Sequence, residues 1–339
     1  MIDSKKTYIL YLLLALFLLT LTLNSSAQIV DTPEGKVEFI GLDKWNVERI
    51  KAVMAEKAPG KPLGQCAAVL VEIGFPSASS ASVGKVDGKD YQVVTLVEPD
   101  KAHLLKEKPE FSDSLPDVEK WREGKDVLTK SNRVFQSGLR FYPLFLKGET
   151  AQVEKQLANF PKDAGQIKGF FQFLKTQNTA ADRDLAVWIL VNDGNLRNRM
   201  LAVTILANFA DSDLTWWTLL DAQRDPFDSV AATASQVLTA LSIHAPRKVN
   251  WSPAAHTIRY IINGTNVFLF TPTLRVLTRT SVNPELAKTL LKDESHLLLA
   301  HLGANYKPDA EAAQKFLAQL SDFDFGYDIA KWKQWVKKI

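Results

Sequence analysis

Chemistry in this chain would have to come from few residues. There are five histidines, His103, His244, His256, His296 and His301, and one cysteine, Cys66. A zinc protease places two histidines at i and i+4 on one helix face beside a Glu that serves as base. His296 and His301 are five apart and point in different directions, and no His-Glu dipeptide occurs. A single thiol supports neither an internal disulfide nor a zinc site of several thiolates. Cys66 lies in the helix-like run Cys66-Ala67-Ala68-Val69-Leu70, where a small core residue is expected and a nucleophile is the alternative. No Gly-x-Ser-x-Gly elbow and no Gly-rich phosphate loop is present. The acidic pairs Asp182/Asp184, Asp211/Asp213 and Asp322/Asp324 fall at predicted helix edges, where carboxylates cap backbone N–H groups. Asn263-Gly264-Thr265 has the form of an N-glycosylation triplet. These residues predict no catalytic constellation, no metal and no cofactor. The conspicuous pair is Trp216-Trp217. On a helix the two rings stand about 100° apart, so one is expected to pack inside and the other to reach the surface as a partner contact.

The elements that must position such residues begin with an address. Lys5 and Lys6 precede an almost wholly apolar stretch from Ile9 to Leu23, and Ser25-Ser26-Ala27 supplies small residues before Gln28. That pattern predicts a signal peptide over residues 1–27 and export to the periplasm or the outside of a bacterium. The apolar run of about 15 residues is shorter than the roughly 20 that a spanning helix needs, so membrane association is expected only if this segment stays uncleaved. The chain as a whole has ordinary globular composition, 46% hydrophobic and 23% charged, with a formal charge of +3 over 339 residues. Such a balance offers no massed basic face for nucleic acid. Lys331, Lys333, Lys337 and Lys338 form a basic end that suits a helix C-terminus.

Residues 28–100 read as a small α+β domain. Val37 to Ile40 and Tyr91 to Val97 are β-branched, strand-like runs, and between them Asn46–Lys57 and Pro62–Glu72 read as helices. Ser77 to Gly84 reads as a Ser/Ala loop. Residues 101–134, charged and punctuated by Pro109 and Pro116, read as a linker with a helix. Residues 135–339 are helical in pattern, with turns of two to five residues, as between antiparallel neighbours.

Within that region the helices repeat. A shift of 32 residues aligns Asp193 with Asp225, Ala202 with Ala234, Ile205 with Val237, Leu206 with Leu238, and Phe209 with Leu241. A period of this size in helical sequence is the mark of a solenoid. Asp225-Pro226 followed by Val230, Ala234, Leu238 and Leu241 resembles the second helix of a HEAT repeat. The copy from Asp193 keeps Arg199, Ala202, Leu206 and Phe209, with Arg199 at the family's Arg position. The second copy departs at Ala231, which replaces that Arg and the hydrogen bonds within a repeat attributed to it. The aligned stretch covers residues 182–241. The resemblance implies a mainly α fold: a short HEAT-like α-solenoid of antiparallel helix pairs, here preceded by the small α+β domain. With the leader and the empty chemistry search, it predicts an exported, non-catalytic scaffold that binds a protein or peptide partner, with Trp216 and Trp217 as contacts. The alternative is an enzyme whose site uses Cys66 or His103 where the α+β domain meets the helices.

Overall fold

A computed structural model describes residues 27–86, 88–105, 118–130, 139–292 and 295–339. The expected leader lies outside these residues except for Ala27. Among the described residues no helix is long and apolar enough to cross a membrane. The chain divides into two units, Met1–Ala102 with Gly303–Asn305, and His103–Leu302 with Tyr306–Ile339.

The first unit runs β1 (Gln28–Thr32), β2 (Gly35–Ile40), α1 (Val47–Lys57), α2 (Ala67–Glu72), β3 (Ser77–Val86) and β4 (Lys89–Val97). Its strands form one sheet in the order β1-β2-β4-β3, with β2 and β4 parallel and both outer strands antiparallel to their neighbours. Period-two alternation decides what packs under the helices. Phe39 and its cross-strand partner Val94 join Ile50, Met54, Cys66 and Leu70 in one apolar core. The intervening residues Glu38, Val93 and Thr95 project to the other face and are also buried. Asn46 caps α1 by accepting the Arg49 N–H.

Two strands escaped the sequence reading. Ser77 to Gly84, expected as a loop, lies in the edge strand β3 (Ser77–Val86), and β1 was not anticipated at all. Ser and Ala have little strand preference of their own. Here the backbone ladder to β4 holds them extended, through a register shift between Ser82 and Gly84.

The second unit is helical. It runs α3 (Arg122–Lys130), α4 (Tyr142–Leu146), α5 (Thr150–Leu157), α6 (Ala164–Thr176), α7 (Ala180–Asn192), α8 (Leu196–Ile205), α9 (Asp213–Ala222) and α10 (Asp228–His244). It continues with α11 (Ala255–Ile262), α12 (Val267–Arg279), α13 (Ala287–Leu291), α14 (His296–Leu302), α15 (Lys307–Ser321) and α16 (Ile329–Val336). Helix α8 packs on α10, α10 on α12, and α12 on α15, while α7, α9, α11 and α13 contact one another in the same sequence. One apolar core joins them, from Trp121 to Trp332.

The stretch read as a linker contributes to this core. Trp121 is fully buried, α3 packs on α6 and α8, and Lys120 ion-pairs with Asp182 of α7. Gly124 explains how α3 comes so close. A Cβ there would lie 2.5 Å from the Phe173 ring and 2.9 Å from a Leu201 methyl. A charged, proline-punctuated composition hides this, because one Trp and one Gly carry the packing.

Helix α12 does not stop at its internal proline. It continues back through Pro272, with Asn266 accepting the Phe268 N–H as its cap. Proline removes one donor to the carbonyl four residues earlier, that of Phe268. Burial of Leu269, Phe270 and Leu274 outweighs that loss.

Candidate functional site

In the helical unit a groove lies between α12 and α15, beside a buried polar clamp. Asp309 lies in the first turn of α15, where a carboxylate favours the positive end of the helix dipole. It accepts from the Thr271 hydroxyl of α12 and is paired at 3.1 Å with Nδ1 of His301 on α14. The Phe270 ring stacks on the His301 imidazole, with centroids 3.8 Å apart and planes 20° apart. His301 and Asp309 are fully buried, so three helices are tied by a network that water does not reach. Although Thr, Asp and His are together, the chemistry is not that of a nucleophile. The Thr271 hydroxyl donates to the carboxylate and not to an imidazole base.

Further along the same two helices the clamp opens into a groove of about 340 Å³ lined by Arg275, Thr278, Arg279, Glu311, Ala312 and Lys315. Arg275 and Arg279 stand four apart, one above the other on α12. Glu311 and Lys315 do the same on α15, with buried Ala312 between the walls. Three cations therefore face one carboxylate. Among the described residues Arg275, Lys315 and Glu311 have no hydrogen-bond or ion-pair partner, while Arg279 donates to the Ser242 hydroxyl at 3.3 Å. Burial, and then the neighbouring Arg275, push the Arg279 guanidinium below its ordinary pKa.

The residues singled out by sequence lie elsewhere. Trp216 is fully buried, its ring set edge-on to Trp251 and its N–H donated to the Ala210 carbonyl at 2.8 Å. It has no surface to offer. Trp217 is half-buried, with its indole N–H bonded to the Asn250 carbonyl at 2.7 Å. The more exposed Trp is Trp188 on α7, beside exposed Val191. Cys66 is fully buried in the first unit's core, and burial pushes its thiol up to about 12, far from a reactive thiolate. His103 is exposed. The Asn263 side chain is buried and bonded to the Arg259 carbonyl.

Of the acidic pairs, Asp182 forms a capping box with Thr179, as its position predicts. Asp213 instead accepts from Arg247 and the Asn250 N–H, tying a loop down, and Asp322 ends α15 in the left-handed region. Among the described residues no group of three or more His, Cys, Asp or Glu is placed to hold a metal ion.

Reasoning from sequence missed the groove for a definite reason. The i, i+4 arginines are visible in the pattern of α12, but Lys315 is 40 positions from Arg275 and only the packing of α12 on α15 brings them together. Compared with protein families, with characterised proteins and with solved structures, the chain matches none.

Proposed function

We propose that this chain is an exported, non-catalytic scaffold whose helix pairs form a short HEAT-like solenoid and hold a protein or peptide partner on its surface. One observation carries the binding half of that reading. A groove sits on rigid, clamped helices, and its cations Arg275 and Lys315 have no partner among the described residues. Exposed charge kept unpaired in a concavity has no stabilising role, whereas it suits a ligand that supplies the counter-charge. The serial packing of α8, α10, α12 and α15 supports the solenoid, as does the Arg199–Asp225 pair that joins the two aligned copies. The address rests on the leader sequence alone.

A photo-crosslinking residue at Thr278 in the full chain tests this. A discrete adduct is expected in the envelope fraction of the source cell, and it should vanish in an R275E/R279E double variant. No adduct, or one that persists in the double variant, sinks the reading.

A further inference from the structure

We infer that the groove between α12 and α15 takes an extended acidic segment of a partner protein, with alternate carboxylates seated on Arg275 and Arg279. This rests on the scaffold reading and adds the partner's chemistry to it. Three features of the groove carry the inference.

The first is charge. Arg275, Arg279 and Lys315 face the single carboxylate of Glu311, and two of the three cations are unpartnered among the described residues. An arginine pair held a helical turn apart is self-repelling until an anion sits between or over it.

The second is spacing. Side chains at i and i+4 of a helix stand about 6 Å apart, and alternate side chains of an extended peptide recur about every 6.7 Å. An acidic-x-acidic segment laid along α12 therefore meets both guanidinium groups in register. A guanidinium presents a planar fork that matches a carboxylate with two parallel hydrogen bonds.

The third is rigidity. The Thr271–Asp309–His301 network and the buried residues beneath hold both walls, so little ordering cost falls on the protein side when a ligand enters. Glu311 gives the groove a direction. It repels an acid at its own end and favours a hydroxyl or backbone N–H there.

The probe is a short fluorescent peptide with Glu at alternate positions, compared with its Gln counterpart by fluorescence anisotropy on the full chain. The acidic peptide is expected to bind saturably and to weaken steeply as salt rises. R275Q/R279Q should bind it about tenfold more weakly, since two exposed ion pairs, each individually weak, are lost. E311Q should bind it at least as tightly as the wild-type. These four side chains are exposed on helix surfaces, and a circular dichroism melt verifies that each variant folds.

Equal binding of the two peptides, or unchanged binding by R275Q/R279Q, overturns the inference. So does tighter binding to phosphatidylglycerol vesicles through the same arginines, which would make the occupant a membrane surface. If the peptide fails while the Thr278 adduct still depends on Arg275 and Arg279, the acidic segment is wrong and the scaffold stands. If both fail, so does the scaffold.

Discussion

Arg199 is a cation held wholly inside the helical unit. Its side chain is fully buried and ion-paired with Asp225, 26 positions on, with Asp193 as a second nearby carboxylate. The family resemblance implies bonds within one repeat; Asp193 lies in the same aligned copy as Arg199, and the Asp225 bond passes to the turn of the second. Ala231, at the equivalent place in the next copy, is buried without any such group. Truncating one partner leaves a buried charge uncompensated, so Arg199→Ala should cost about 3–5 kcal/mol in a urea titration. The double change to Met at Arg199 and Leu at Asp225 should recover most of that. A titrating residue provides a second check. Burial, and then the nearby Lys147, hold the His244 imidazole below its ordinary pKa of 6.5. The folded state therefore binds the proton less readily than the unfolded chain. Stability from this group is intact above 6.5 and declines as pH falls through that value. His244→Gln should flatten this part of a melting-temperature profile, and an unchanged profile would assign the effect elsewhere.

At the scale of elements, the close approach of α3 to its neighbours depends on the absence of one side chain. Gly124→Val should force the Phe173 ring or Leu201 to move, costing about 1–3 kcal/mol by urea midpoint. Adding Phe173→Leu should return part of it, whereas a surface linker would tolerate both changes. This helix marks the limit of what the sequence displays. The helices α7 to α10 and α13 to α16 were legible because their apolar spacing and turns agree, and β2 and β4 because β-branched residues cluster there. The edge strand β3 was not legible, since its Ser and Ala residues take their conformation from β4. Helix α3 showed itself as charge, and its docking residues, Trp121 and Gly124, have no periodic signature. The candidate site was half legible. Arg275 and Arg279 share a visible helix face, but the opposing wall is supplied by tertiary packing.

At the scale of the whole molecule, two units of different character share one chain, and the proposed export would carry both. Mass spectrometry of protein recovered from the source cell should show a mature chain starting at Gln28. A start at Met1 would instead leave an apolar segment ahead of β1 and change the address.

A last consequence concerns time rather than space. The buried Glu38 carboxylate accepts from the Tyr91 hydroxyl at 2.8 Å and from the Asn305 N–H at 2.6 Å, a contact 267 positions distant along the chain. Nearly all of the polypeptide must emerge before that second donor arrives. A chain delivered N-terminus first thus produces its sheet early yet completes it last, and in the interval one buried acceptor is short of its partner. The order of emergence becomes a folding constraint that works against premature closure of the first unit. Pulse-labelled hydrogen exchange should find the amides of β2 gaining full protection only after α14 has formed.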